Sequence, residues 1–329
     1  MINCIGFLPK GIDIEKLKDY KPDQEILKKL EYLDLPIIEN KEEPSEESEN
    51  NDFVVESDLV VFSTPNNSEL SYLQFHVFDK ELDDFVIHHD IYVFSSINDT
   101  EYININNQHC VALGTFENYV MLYDALVKNP MTPQVLLEGH SGAVMAVTTD
   151  NSNYSLFSGS EDRSVIEWDL EKLCVKNKAE YCQVVEKLCV SEDILIFGNQ
   201  QSIYLPSSGE EYKVEGTVEN CMIEGNNIYI GDSSGVLTVL DIRNMKKSKT
   251  IKKVSEDPLT GLDVLRGYVS VSSLGGDLFI FDSSSFETKF SHNVKSELYS
   301  VKLSEENVLF FGDASDTLHI KRIEEYISF

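Results

Sequence analysis

One short unit recurs along this chain, and its recurrence restricts the fold more than any other feature. The best-formed copy is SGSEDRSVIEWD, residues 158–169. LGTFENYVMLYD, 113–124, places Gly114 on Gly159, Thr115 on Ser160, Val120 on Val165, Tyr123 on Trp168 and Asp124 on Asp169 without a gap. IGDSSGVLTVLD, 230–241, places Gly231 on Gly159 and Asp241 on Asp169. SSLGGDLFIFD ends in Phe281-Asp282, SYLQFHVFD in Phe78-Asp79, and FGDASDTLHIKR in Lys321-Arg322. Each copy is a strand, a turn of small and acidic residues, and a second strand. The units end at 79, 124, 169, 241, 282 and 322, mostly 40 to 45 residues apart, the length of one four-stranded blade. The one gap of 72 holds a weaker copy, ILIFGNQQSIYL at 194–205, which makes seven. The expectation is all-β: a seven-bladed β-propeller with a short N-terminal helical and acidic extension.

The rest of the chain divides around that ring. A propeller uses one closed core for the whole repeat array, so 53–329 is read as a single domain. Residues 1–8 read as a strand. A ring whose ends do not join leaves open edges, so this strand is expected to latch into the blade holding Val308 to Phe311 and Leu318 to Ile320. Residues 9–38 read as a helical extension in two pieces: Ile14 and Leu17 before Pro22, then Ile26, Leu27 and Leu30 with Asp23 as N-cap. Residues 39–52 carry seven acids against one lysine and no apolar residue. They read as a disordered linker, either a mobile arm for basic partners or a solvated spacer; Ser45 and Ser48 lie within it.

Composition excludes several classes. A formal charge of −30 repels phosphate backbones over most of the surface, favours basic partners, and also serves plain solubility. The six cysteines contain no C-x-x-C pair, and most sit in apolar runs, as reduced core fillers would. No apolar run approaches the ~18 residues that span a bilayer. No Walker, Rossmann or HExxH pattern occurs, and no cofactor or small-molecule substrate is expected. His88-His89-Asp90 offers metal-ligand types, but adjacent strand residues point to opposite faces. Gly231 to Gly235 spells G-x-S-x-G, yet a strand follows it where the hydrolase elbow needs a helix.

Two groups carry more weight. Gly139-His140 stands 28 residues before Trp168. In a WD-repeat blade that spacing supports a buried polar chain of His140, a serine, Asp162 and Trp168. Ser158 and Ser160 share a strand face, so either can be the serine. Asp79, Asp124, Asp169, Asp241 and Asp282 are the repeat anchors. The segment 245–254 is the one basic island, with Lys246, Lys247, Lys249, Lys252 and Lys253. It is read as an outer turn, serving either as an RNA-phosphate contact or as an ordinary hairpin.

The order of parts resembles the periodic tryptophan protein 1 family of WD-repeat ribosome assembly factors. The likeness lies in Pro9-Lys10-Gly11, the acidic stretch, LQFHVFDKELDDFVIHHDI at 73–91, VALGTFENYVMLYD at 111–124 and LEGHSGAVMAV at 137–147. It departs in retaining one tryptophan, Trp168. The resemblance implies a non-catalytic scaffold in the nucleus and nucleolus, binding pre-rRNA, ribosomal proteins and assembly factors during large-subunit (60S) maturation and rRNA processing. It also leaves room for a histone- or chromatin-binding adaptor acting on ribosomal DNA transcription.

Overall fold

The computed structural model describes residues 1–12, 14, 17–32, 58–66, 71–150, 155–191 and 194–327. Apart from one two-stranded parallel pair, their strands form six four-stranded antiparallel sheets and one three-stranded sheet. The inner strand of every sheet borders one cavity, through Asn3, Asp99, Val147, Lys187, Asn220, Gly261 and Tyr299. The sheets are therefore the seven blades of a propeller around a common channel. The third strands of the blades are Ser71–Asp79, Tyr119–Asp124, Ser164–Asp169, Ser202–Leu205, Val236–Asp241, Asp277–Asp282 and Leu318–Arg322. They end where the seven repeat units end.

Alternation decides where the core sits. Successive strand residues point to opposite faces, and both faces of a blade meet a neighbour, so apolar residues pack in the seams. Between blades 2 and 3, Ala112, Val120 and Leu122 meet Val144, Leu156, Ile166 and Trp168. The anchor aspartates shape the turns that close each third strand. Asp79 Oδ1 accepts from the amides of Glu81 and Leu82 at 2.8 and 3.0 Å. Asp169 does the same for Glu171 and Lys172, Asp282 for Ser284 and Ser285, Asp124 for Leu126 and Asp241 for Arg243. These are Asx turns, which let a short side chain replace a backbone acceptor.

A second device runs round the channel. Side chains of one inner strand bond to the next blade's backbone: Asn3 to Ile97 O, Asp99 to Val147 N, Cys189 to Cys221 O, Asn220 to Thr260 O, Asp263 to Leu303 N and Ser300 to Ile2 O. The seam between blades 3 and 4 has a backbone bond, Val185 N to Ser160 O at 3.2 Å.

The ends meet differently from the expected latch. Strand Ile2–Phe7 does not pair with the last blade; it pairs with Leu59–Pro65 and forms the inner strand of blade 1. It touches blade 7 through side chains instead. Ile2 is buried with Val308, Phe310 and Leu318, and Phe7 sits edge-on to Phe310 at 5.4 Å. The reason is its mixed character: Asn3 and Cys4 face the channel while Ile2 and Phe7 fill the seam, which suits an inner strand and not an outer one. Gly6 is needed there because a Cβ would strike the Phe62 ring at 2.1 Å.

Of the two expected helical pieces, one forms. Helix Gln24–Tyr32 is capped by Asp23 Oδ1, which accepts from Glu25 N at 2.7 Å. The first piece does not continue as a helix; Lys18–Asp19 pairs in parallel with Val127–Lys128. Its apolar residues dock instead, Ile14 being fully buried with Leu30 against the blade 2 core. The acidic linker 39–52, with Ser45 and Ser48, lies outside the described residues, as do 33–38 and 53–57.

Candidate functional site

The polar chain of blade 3 is assembled from two hairpins. Strand pairing puts Leu156 opposite Trp168 and Ser158 opposite Ile166, so the indole reaches back to Ser158. Trp168 Nε1 donates to Ser158 Oγ at 2.8 Å, and Ser158 Oγ lies 2.7 Å from His140 Nε2. His140 Nδ1 lies 3.2 Å from Asp162 Oδ2. One directional chain satisfies every member: indole N–H to serine, serine O–H to Nε2, and Nδ1–H to the carboxylate, with the tautomer assigned from this network. Ser160 stands aside; its hydroxyl donates to Gly142 O at 3.1 Å and accepts from Asp162 N. Of the two serines left open by alternation, the geometry brings Ser158 to the tryptophan.

Ser158, His140 and Asp162 have the composition of an acyl-transfer triad, but the arrangement cannot perform that chemistry. Ser158 is 0% exposed and its oxygen already accepts the indole N–H, so no substrate carbonyl reaches it. Burial pushes His140 below its ordinary pKa. Against the effect of its burial, hydrogen bonds from Ser164 and from the Ser141 amide hold Asp162 well below the carboxylate range. The chain is a satisfied buried network.

Elsewhere the tryptophan position changes and the turn persists. Tyr123 is fully buried and its hydroxyl has no partner among the described residues. In blades 5 and 7, Asp232 and Asp313 occupy the place of Ser160. Asp232 Oδ1 accepts from Ser234 N and Val236 N; Asp313 pairs with His319 at 2.9 Å. Neither aspartate is marked by the repeat's glycine or final aspartate, although each stands beside an aligned glycine, Gly231 and Gly312. The G-x-S-x-G segment is this hairpin turn. Gly235 (φ 77°) is required because a Cβ would lie 2.1 Å from Ser255 O.

The basic island is not a turn. Asn244–Lys253 is the outer strand of blade 5, with a bulge near Leu240. Three of its lysines are spent internally. Lys249 bonds Asn227 and Asp241; Lys252 donates to Phe286 O and lies 3.9 Å over the Phe281 ring; Lys253 bonds Ser234 O and Glu256. Lys246 and Lys247 are exposed and make no ion pair with any described residue.

At His88-His89 the expectation of opposite faces fails locally. A bulge there leaves Phe75 opposite His89 and His76 opposite Ile87, so the two Nδ1 atoms lie 2.9 Å apart. His89 stacks on Phe75 at 4.5 Å. Among the described residues no cluster of three metal-ligand side chains occurs.

The channel holds charges that no repeat position announced. Its cavity is about 230 Å³. Lys302 is paired with Asp263 at 2.9 Å, which holds its ammonium above the usual range. Burial raises Glu101 to about 7 and Cys4 to about 12. Cys189 lies 2.8 Å from Cys221, whose hydrogen bond, with burial, pushes the Cys189 thiol up. Protonated thiols are poor nucleophiles. Cys174 and Cys182 are exposed and are not core fillers.

No family model matches the chain. It is 27% identical over 119 residues to human WD repeat-containing protein 43, covering 35% of this chain and 17% of that protein. It is 34% identical over 68 residues to the ribosome biogenesis protein ytm1 of Aspergillus terreus, covering 20% of this chain and 14% of that protein. The chain thus matches less than a fifth of either relative's length. Among solved structures it is similar to the WD40 β-propeller domain of Doa1, with a TM-score of 0.67 at 13% identity, covering 79% of this chain and 88% of that one. The computationally designed Ika8 protein gives a TM-score of 0.59 at 16% identity, covering 79% and 82%. These likenesses establish the WD40 propeller fold.

Proposed function

We propose that this chain is a non-catalytic scaffold of large-subunit ribosome assembly, akin to the periodic tryptophan protein 1 family, working on pre-ribosomal particles in the nucleolus. The observation that carries the reading is the 34% identity over 68 residues to a protein named for ribosome biogenesis. The order of motifs from 73 to 169 supports the family. Propellers hold loops rigidly on two faces, so several partners can be bound at once. The charge of −30 directs most of that surface toward basic partners such as ribosomal proteins. Contact with pre-rRNA falls to Lys246 and Lys247, since the other three lysines of the strand are engaged within the fold.

The test is sedimentation of the tagged protein through a gradient. The scaffold reading expects it with large pre-ribosomal particles, and expects Lys246→Glu with Lys247→Glu to weaken that association while leaving thermal stability unchanged. Each lost phosphate contact should lower the slope of log affinity against log salt by about 0.7–0.9. Binding to histone tails at moderate salt, indifferent to these two changes and without particle association, would favour the chromatin reading instead.

A further inference from the structure

We propose that Cys189 and Cys221 form a site of reversible thiol oxidation, where a hydroperoxide joins the inner strands of blades 4 and 5 by a disulfide. Cys189 lies in Lys187–Ser191 and Cys221 in Val218–Glu224, and their sulfurs are 2.8 Å apart. Bonded sulfurs stand about 2.05 Å apart, so the closure needed is less than about 1 Å. Each strand is held by its own sheet, with Cys189 opposite Ile196 and Cys221 opposite Ile230. Closure of the ring, and not a shared ladder, brings the two thiols together. The other thiols are directed elsewhere. Cys4 Sγ lies 3.8 Å from Asn98 O and 3.9 Å from Asp99 Oδ1, Cys110 packs between blades 2 and 3, and Cys174 and Cys182 are exposed.

The place of the pair in the girdle sets it apart. Asn3, Asp99, Asn220, Asp263 and Ser300 bridge their seams through nitrogen or oxygen, which a peroxide leaves unchanged. The seam of blades 4 and 5 uses a thiol, with Cys189 Sγ donating to Cys221 O at 2.9 Å. A serine hydroxyl is the stronger donor; what cysteine adds at this place is two-electron oxidation. Both cysteines line the channel cavity of about 230 Å³, several times the roughly 30 Å³ of a water molecule, so a small hydroperoxide fits beside them. The hydrogen bond with Cys221, together with burial, keeps the Cys189 thiol protonated, which leaves Cys221 as the attacking sulfur. Cys221 gives up its proton and attacks the peroxide O–O bond, forming a sulfenic acid and one water. The Cys189 sulfur then displaces the sulfenic hydroxyl, which leaves with the Cys189 proton as a second water. Two S–H bonds and one O–O bond break, one S–S and two O–H bonds form, and the two electrons lost by sulfur reduce the peroxide. The first step is slow because the thiols are buried; contact makes the second intramolecular and fast. In a reducing compartment the bond is transient, since free thiols undo it by exchange.

The test uses the full chain carrying Cys174→Ser and Cys182→Ser, which removes the two exposed thiols, with hydrogen peroxide as the oxidant. The folded chain is oxidised, quenched in acid, unfolded and alkylated. Non-reducing peptide mapping is expected to recover Cys189 linked to Cys221, in an intact chain lighter by two hydrogens. Dithiothreitol should restore both thiols. A cross-link restricts the unfolded chain, so the oxidised protein should melt about 5 °C above the reduced one. Cys221→Ser should abolish the linkage and the rise in Tm, and Cys189→Ser should leave a sulfenic acid on Cys221 that dimedone traps. The mapping is read on a chain that keeps both thiols, so it decides the proposal even where a single-cysteine variant does not fold. Three results would overturn it: both thiols still alkylated after peroxide, either thiol linked instead to Cys4 or to a second chain, or linkage seen only when the chain is unfolded before oxidation. The outcome is independent of ribosome association.

Discussion

Replacing Ser158 by alanine tests the buried polar chain at its central atom. Ser158 Oγ is the one acceptor for the indole N–H of Trp168 at 2.8 Å and the partner of His140 Nε2 at 2.7 Å. Trp168 is 1% exposed and His140 6%, so water cannot replace the hydroxyl. An orphaned buried polar group costs about 1–3 kcal/mol. Two such groups put the cost of Ser158→Ala at about 2–6 kcal/mol. Urea unfolding should show a lower midpoint with an unchanged slope, since the surface exposed on unfolding is the same. Ser160→Ala, which removes the bond to Gly142 O and the bond from Asp162 N, should cost about 1–3 kcal/mol. The cycle with Trp168→Phe isolates the coupling: once the indole N–H is gone, Ser158→Ala should cost at least about 1 kcal/mol less. A Ser158→Ala protein within about 0.5 kcal/mol of the parent, or an equal cost in both backgrounds, would refute the reasoning.

Gly312→Ala should destabilise the ring at its closure, because a Cβ there would lie 2.5 Å from Ile2 Cβ and 2.7 Å from Ser300 Oγ. Overpacking of this kind costs about 1–3 kcal/mol, read as a lower Tm. Stability should also fall as pH drops from 6.5 toward 4. Burial pushes His76 down to about 4, so the unfolded chain takes up the proton first, and the contribution present above pH 6.5 is lost across that window. It amounts to about 3 kcal/mol. Glu101 acts oppositely between 4.5 and 7, so the His76 share is the difference between the parent and His76→Gln in denaturation at each pH. Asp282→Ala should loosen the outer turn of blade 6, where Asp282 Oδ1 accepts from the amides of Ser284 and Ser285. A loss of about 1 kcal/mol, with faster exchange at those two amides, is the expected result.

What the sequence revealed follows the physics of its repeats. Of the seven third-strand ends, Leu205 and Arg322 lack a local mark and follow from the spacing of the units; the other five were legible because they are written in local chemistry, an apolar strand closed by an Asx-turn aspartate. The choice between Ser158 and Ser160 was not, since alternation places both on one face and only the register opposite Ile166 and Trp168 selects. The basic island reads as an outer turn because it follows Asp241, the end of a third strand, directly; three of its lysines find carbonyl, ring and carboxylate partners that become neighbours only in the closed sheet. The girdle of inter-blade bonds was invisible, because Asn3, Asp99, Cys189, Asn220, Asp263 and Ser300 share neither residue type nor spacing. The expectation that the first strand joins the blade of Val308 to Phe311 and Leu318 to Ile320 rests on strand edges alone, whereas Ile2 and Phe7 close the ring by packing against Phe310.

The central claim is the scaffold role, and affinity purification of the tagged chain, with the bound RNA and proteins identified, tests it most directly. Recovery of large-subunit rRNA precursors together with assembly factors is the predicted result. Recovery of histones without pre-rRNA would leave the propeller intact and contradict the role assigned to it.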